Sequence, residues 1–437
     1  MLILSTLSGL CLAGSETTWE TVELSNEIPL TLVHAPDSPR QHFFTFLPHG
    51  LLADAKDRPQ FAHLLEHLAI RSTDPEALEA GGVTMNGETG ALSLRLDTYA
   101  VPERWREALE RHALWIEEWR ALEALDAAVL EREKGKIALE EQSTVARGYA
   151  HKWADAAWAQ VVRHGAKDVA LHGAVAGATV EELRADLAGA PRGLGGIRLV
   201  SAGPVDPETV RAAAEELFGE LDTAKALSSR PSATVESIRR AGARQATWDL
   251  ESAHLVEWYP LPDARPGDRL AGLLLAQLLN ARAMAETALA EKGVHLAVAP
   301  DLLTPEGRWL KFSANLPAGV EPEAVHAAVR ACLEGVRASG AAALKGSLAQ
   351  AAAEFAQTPD LSALRKQFAA RGTANDFMEG NLVLGLVNLE WMSGLDRAEL
   401  AKSAAALEAD RLLEVVAGWL EDGRSSSLVL RPRDSGD

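Results

Sequence analysis

Residues 57–70 read Asp-Arg-Pro-Gln-Phe-Ala-His-Leu-Leu-Glu-His-Leu-Ala-Ile, and this stretch predicts an amphipathic helix. Its phenylalanine and leucines recur at helical spacing, which gives the helix one apolar face. Asp57 is a candidate cap, and Pro59 is tolerated in a first turn. His63 and His67 are four residues apart, so both imidazoles leave the same side of the helix, one turn apart.

Two imidazoles in that relation are able to hold two corners of a tetrahedral zinc ion. Glu66 lies beside them, where its carboxylate could take a proton from a metal-bound water. The alternative is a pair of surface histidines on a polar helix face. A catalytic zinc also needs a third protein ligand and an open fourth position, so the rest of the chain has to supply one more donor.

A charged helical segment at residues 127–143 offers such a donor. Glu133 and Glu140 are seven residues apart, two turns, and therefore share a face. One carboxylate could ligate the metal while the other orients a histidine. The other interpretation is a solvated helix face, which is what most charged runs are. The side expected to be buried consists of Val129, Leu130, Ile137 and Leu139.

Together these motifs resemble the pitrilysin/insulinase family of zinc peptidases, which includes the mitochondrial processing peptidases. H-x-x-E-H is the inverted zinc-peptidase motif, and in this family a helix with E-x6-E follows about 70 to 80 residues later. Glu140 lies 73 positions after His67. The resemblance implies that Glu140 is the third zinc ligand and that Glu133 is the carboxylate supporting the ligands from outside. It also implies catalysis of peptide-bond hydrolysis with Glu66 as the general base.

Between the two motifs the family has a glycine pair, an asparagine and a strand ending near tyrosine and proline. The matching runs here are Gly81-Gly-Val-Thr-Met-Asn-Gly-Glu-Thr-Gly and Ala91-Leu-Ser-Leu-Arg-Leu-Asp-Thr-Tyr-Ala-Val-Pro. In the family the strand, here the one with Leu92, Leu94 and Leu96, forms a sheet edge to which substrate adds as a further strand. Asn86 and Gly87 are thereby candidate substrate-binding residues. The alternative is an ordinary Asn-Gly turn.

Composition limits the class of protein. The chain has 437 residues, of which 47% are hydrophobic and 24% charged, so it is able to bury cores for two to four domains. Its net charge of −19 argues against a nucleic-acid partner, because phosphates require a basic surface. An acidic cavity for peptides and an acidic surface kept for solubility both fit this charge. No apolar run long enough to span a membrane is expected in the mature chain.

The first 14 residues resemble the apolar core of a secretory signal without its basic leading segment. Export to the periplasm or secretion is therefore expected, with a buried first strand and a cytoplasmic protein as the alternative. Only Cys332 would remain in the mature chain, which excludes an intrachain disulfide.

The remaining pattern predicts an α+β fold of two related α/β units, each a mostly antiparallel sheet covered by helices. The first unit, residues 15–222, would bind zinc, and the second, residues 246–437, would repeat it without metal ligands. Residues 223–245 are the predicted linker because they contain Ser228-Ser-Arg-Pro-Ser-Ala. In the second unit a long helix at residues 268–289 would occupy the place of the zinc helix.

The chain departs from the family at one point. Active members grip the substrate carbonyl with an Arg and a Tyr from the facing unit, whereas no tyrosine follows Tyr259 in this chain. A missing donor of this kind costs about 100- to 1000-fold in rate. We therefore expect a zinc endopeptidase whose homologous partner subunit, without the zinc motif, supplies the pair in a heterodimer; a homodimer is the other arrangement. The alternative is a non-catalytic structural or assembly subunit, although a retained Glu66 would be of no use to a scaffold.

Overall fold

The computed structural model describes the chain apart from residues 1–16, 48, 57, 72–74, 91–92, 122–126, 147–150, 190–196, 222–241, 251, 262–267, 285–286, 303–307, 356–360, 371–377, 394, 422–424 and 434–437. The strands are β1 (Thr18–Glu23), β2 (Pro29–His34), β3 (Gln41–Leu47), β4 (Val83–Thr89), β5 (Leu94–Ala100), β6 (Asp168–Val169), β7 (Arg198–Gly203), β8 (Gly242–Trp248), β9 (Ala253–Pro260), β10 (Leu296–Leu302), β11 (Arg308–Leu316) and β12 (Ser426–Pro432). The helices are α1 (Phe61–Arg71), α2 (Pro75–Ala80), α3 (Trp105–Ala121), α4 (Ala127–Ala146), α5 (His151–His164), α6 (Val180–Gly189), α7 (Pro207–Phe218), α8 (Asp268–Met284), α9 (Thr287–Ala290), α10 (Pro322–Phe355), α11 (Leu361–Ala370), α12 (Met378–Ser393), α13 (Arg397–Ala406) and α14 (Ala409–Leu420).

The strands form two six-stranded sheets, and five strands of each sheet have the same order and directions. The first has the order β1-β2-β7-β3-β5-β4, and the second, read from its other end, β6-β8-β12-β9-β11-β10. In each sheet the second and third strands pair in parallel, and the last four pair antiparallel. The predicted α+β fold of two related units is therefore confirmed.

The two halves of the chain exchange elements. Strand β6 comes from the first half but pairs with β8 in the second sheet, and buried side chains of α5 pack against Trp248 and Trp258. In return, buried leucines and valines of α12 pack on the outer face of the first sheet. Strand β8 begins at Gly242, so the last residues of the predicted linker belong to a sheet. The unit boundaries at 15–222 and 246–437 stay a prediction.

One long helix differs from the sequence prediction. The helix expected at residues 268–289 ends at Met284, and α9 begins at Thr287. Helix α10 is interrupted at Gly340, where φ is 73°. Glycine tolerates this left-handed conformation because it has no Cβ. No helix in the described part of the chain combines the length and apolar character needed to cross a bilayer.

The strand predicted to form an edge of the first sheet lies inside the sheet instead. The described strand with Leu94 and Leu96 is β5, which lies between β3 and β4, while Leu92 lies outside the described residues. The edge strand is β4, and it contains Asn86 and Gly87. The Asn-Gly pair therefore continues a strand instead of turning the chain, because each residue of β4 pairs with β5.

Candidate functional site

Helix α1 carries the two predicted histidines, and its apolar face is buried. Leu64, Leu65 and Leu68 are almost fully buried in the core of the first half. The carboxylate of Asp54 accepts hydrogen bonds from the backbone N–H groups of Gln60, at 2.7 Å, and Ala62, at 2.8 Å. These bonds satisfy donors that a helix start leaves without partners. Asp57, the cap predicted from sequence, lies outside the described residues.

His63, His67 and Glu140 converge on one point. One donor atom from each lies within 4.8 Å of the other two. The Nε2 atom of His63 is 3.6 Å from Oε2 of Glu140, and the Nε2 atom of His67 is 3.5 Å from Oε1. Ligands about 2.1 Å from one tetrahedral zinc lie about 3.4 Å apart. Each histidine nitrogen therefore lies at about this separation from one oxygen of the Glu140 carboxylate.

Glu133 supports His67 from behind. Its buried carboxylate lies 3.4 Å from Nδ1 of His67 and also pairs with Lys136 and Arg132. Burial raises the pKa of Glu133, but hydrogen bonds from His67, Lys136 and Arg132 outweigh it and lower the pKa to about 2. Burial lowers the pKa of His67, but hydrogen bonds to Glu133 and Glu140 raise it to about 9. The ionised Glu133 thus fixes the ring so that Nε2 faces Glu140.

Glu66 lies on the same helix, next to this group. Its side chain is 7% exposed, and the hydroxyl of Thr89 on β4 donates a 2.5 Å hydrogen bond to its Oε2. Burial raises the pKa of Glu66, against the opposing effect of His63 and Thr89. A carboxylate with a raised pKa is suited to accept and return a proton near neutral pH.

Strand β4 packs directly against this base. A Cβ on Gly87 would lie 2.6 Å from both Oε1 of Glu66 and Cδ1 of Ile70, so a glycine is needed for α1 to approach the strand. Asn86 is exposed on the same edge strand. The structure thus places Gly87 against Glu66 and Asn86 next to it on the edge strand; their contact with substrate stays a prediction.

Helix α4 supplies the third donor from its solvent side. Leu130 and Ile137 are buried as predicted and Val129 is partly buried, but Leu139 is 64% exposed. The prediction for Leu139 was wrong because two residues beyond Ile137 is about 200° around a helix. The Glu140 side chain is 51% exposed, which leaves one side of the cluster open to an incoming molecule.

Two further residues lie at the site, Trp153 and Thr89, and the sequence motifs include neither. The Trp153 ring on α5 lies 5.5 Å from that of His63 and is buried in the core shared by the two halves, so it both lines the site and packs. Thr89 has no local signal because its partner, Glu66, is 23 residues away.

No protein-family model matches the sequence, and no curated protein matches it. Solved structures do match over nearly the whole chain. A protease from Helicobacter pylori has a TM-score of 0.63 at 15% identity, covering 95% of this chain and 100% of that one. The periplasmic protease PqqL from Escherichia coli has a TM-score of 0.59 at 14% identity, covering 96% of this chain and 48% of that one.

A third match is a peptidase M16 inactive domain from Pseudomonas fluorescens, with a TM-score of 0.59 at 14% identity, covering 96% of this chain and 99% of that one. At these identities the likeness establishes the fold, which is that of M16 peptidase halves. The chain spans about half the length of PqqL. M16 proteases and an inactive domain share this fold, so the fold alone does not determine the function.

Proposed function

We propose that this protein is a zinc-dependent endopeptidase. The observation that carries the proposal is the convergence of His63, His67 and Glu140, with the buried Glu66 on the same helix. Two histidines and one carboxylate form a known ligand set of catalytic zinc, and they leave a fourth position open. Zinc bound there would supply Lewis acidity that polarises a carbonyl and lowers the pKa of water.

Side chains of the protein would transfer the protons and hold the base and the ligands in place. Glu66 would accept a proton from the attacking water and deliver it to the leaving amine. Thr89 would hold the Glu66 carboxylate in place, and Glu133 would hold the ring of His67. Together these residues would fix the base and the ligands before substrate arrives, which is the condition for efficient proton transfer.

The substrates we propose are unfolded or short peptides that add to the edge of the first sheet. Strand β4 lies at that edge, and its Gly87 is so close to Glu66 that a Cβ would not fit between them. Backbone hydrogen bonds between a peptide and an edge strand give affinity with little regard to side chains. Asn86 and Gly87 would then lie against the peptide close to the bond that is cleaved.

The partner we propose is a second chain of the same fold, either a homologous subunit without zinc or another copy. The chain spans about half of the periplasmic protease PqqL, and a second unit would supply the Arg and Tyr that the family resemblance requires. Tyr259 does not serve this purpose in the present structure, because it is buried and its hydroxyl donates to Glu257 at 2.6 Å. We also propose a periplasmic or secreted location.

A second candidate is a non-catalytic assembly subunit. It is favoured by the likeness to an M16 inactive domain and by the lack of a tyrosine after Tyr259. The persistence of both the ligand set and the buried base argues against it, since a scaffold needs neither.

The experiment that separates the two candidates is hydrolysis of a quenched fluorescent peptide library. The purified protein is assayed alone and with a homologous chain from the same source, each with and without a chelator. Chelator-sensitive cleavage in either arm supports the peptidase, and cleavage restricted to the mixture supports the two-chain arrangement. Full zinc occupancy without cleavage in any arm would favour the assembly subunit.

A further inference from the structure

Gln60, the residue immediately before α1, has an unusual backbone. Its φ is 69°, a left-handed conformation that costs free energy for any residue with a Cβ. Its side chain is fully buried. Strained residues of this kind persist where the surroundings hold them firmly, and they concentrate at functional sites.

Both N–H groups of the Gln60 side-chain amide donate hydrogen bonds. Its Nε2 donates to Oε1 of Glu141, at 3.0 Å, and to the carbonyl oxygen of Leu171, at 2.9 Å. A carboxylate and a carbonyl only accept, so these two bonds identify the nitrogen end of the amide. The oxygen end, Oε1, is left facing Nδ1 of His63 at 3.3 Å.

This contact selects one form of His63. Because Oε1 of the amide only accepts, Nδ1 of His63 has to carry the proton. A neutral ring protonated on Nδ1 presents its lone pair on Nε2, which is the atom that faces Glu140. The other histidine is held in the same way, through Nδ1 to Glu133. Each histidine therefore has its own supporting acceptor, a carboxylate for His67 and an amide for His63.

The loop that contains Leu171, one of the two acceptors of Gln60, is bound by a residue of the second half of the chain. The Asp249 carboxylate, just beyond β8, accepts from the backbone N–H of Leu171 at 2.8 and 3.0 Å and from that of His172 at 2.8 Å. Glu141 accepts from the N–H of Gly173 at 3.1 Å. The loop at residues 171–173 is thus fixed on one side to α4 and on the other to the second half.

We propose that Gln60 is the positioning residue of His63, fixing its ring and its tautomer for metal binding. Its own placement comes from Glu141 and from the loop that Asp249 anchors. This inference rests on the proposed zinc site, but it concerns the affinity of that site and not the reaction. In its strained conformation the one side chain contacts the histidine, α4 and the loop together.

The test is a substitution that removes the amide and relieves the backbone. Gln60→Gly keeps the positive φ at no steric cost but leaves the acceptors on Glu141 and Leu171 without their donor, so thermal unfolding of the metal-free protein is measured first to show that the variant is folded. Zinc affinity, measured by competition with a fluorescent chelator, should fall about 10- to 100-fold, the usual loss for a group that orients a ligand. The visible spectrum of the cobalt-substituted protein should also change, because the ring of His63 is free to rotate.

A matched control is Gln160→Ala. Gln160 is a buried glutamine of α5 whose Nε2 donates to the carbonyl of Ala55 at 3.2 Å, and neither histidine is its partner in that bond. Its substitution should leave zinc affinity unchanged. Wild-type affinity in Gln60→Gly, or an equal fall in the control, would overturn the assignment of Gln60. Failure of the wild-type protein to bind zinc at all would instead overturn the proposed metal site.

Discussion

Helices α1 and α8 occupy the same place in the two sheets but carry different residues. In chain order α1 follows β3 and packs against β4, and α8 follows β9 and packs against β10. Helix α1 carries two histidines and a glutamate, whereas α8 has no histidine and a single acid, Asp268, at its start. The fold thus requires only the apolar face, and the chemistry depends on a few polar positions opposite it.

One histidine in each half, His112 and His326, also differs in its surroundings. His112 on α3 is fully buried between the hydroxyls of Thr45 and Thr98, and burial lowers its pKa to about 3. His326 on α10 lies 3.0 Å from the buried Glu257 of β9, and this hydrogen bond raises its pKa. A histidine therefore fixes a helix to β3 in the first half and to β9 in the second, and it is neutral in the first and paired with a carboxylate in the second.

The largest effect is expected from His67→Ala on α1. Removing a ligand should lower zinc affinity more than about 100-fold, beyond the loss typical of a supporting residue. Gln277→Ala on α8, a half-buried polar residue of the matching helix, should leave zinc affinity unchanged. Isothermal titration with zinc measures both. Equal affinity of the two variants would show that the metal centre does not lie on α1.

The next effect concerns the buried carboxylates of the two halves. Glu133→Gln should lower zinc affinity about 10- to 100-fold, because a neutral amide holds His67 less firmly than a carboxylate. Glu257→Gln removes the partner of His326 in the second half, so it should lower thermal stability and leave zinc affinity intact. Chelator competition and thermal unfolding of both variants test this. A loss of zinc affinity in Glu257→Gln would contradict the division between the halves.

A smaller effect is expected where glycines meet the two helices. Gly87→Ala places a Cβ against Glu66, so it should lower peptide turnover about 10- to 100-fold by displacing the base, while zinc stays bound. A Cβ on Gly272 of α8 would lie 2.3 Å from Leu261. Gly272→Ala should therefore destabilise the fold by about 1–3 kcal/mol and spare turnover per folded molecule. Turnover and denaturant unfolding distinguish these outcomes.

The smallest effect concerns Glu390 on α12, the helix that the second half packs on the first sheet. Burial raises the pKa of Glu390 to about 7, against the opposing charge of Arg397. A raised pKa in the folded state means that this group lowers stability as pH rises from about 4.5 to about 7. Glu390→Gln should then be more stable than wild type at pH 8 by about 1–3 kcal/mol, and the difference should shrink at pH 5.5. A constant difference across that range would contradict the pKa.

Helical periodicity accounts for the parts of the site that could be predicted. Spacings of four and seven residues place His63 with His67 and Glu133 with Glu140, and both depend only on local helix geometry. The resemblance to a family then joined the two helices. The repeat of strand and helix patterns likewise predicted two related sheets.

The parts of the site and the fold that the sequence did not predict depend on contacts between distant segments, which no local pattern encodes. The bonds of Gln60 to Glu141 and Leu171 join residues 81 and 111 positions apart. Asn86-Gly87 carries a turn signal, yet pairing with β5 and packing against α1 hold it in a strand. The exchange of β6 and α12 between the halves was hidden for the same reason, since each element reads as part of its own half.

The most direct test of the central claim is zinc content and peptide turnover measured on the same preparation of Glu66→Gln. We expect about one zinc per chain in both wild type and variant, because Glu66 is not a ligand. We expect turnover in the wild type, with its partner where needed, and a loss of at least about 100-fold in the variant. Undiminished, chelator-sensitive turnover in zinc-loaded Glu66→Gln would contradict the assignment of Glu66 as the base and with it the proposed mechanism.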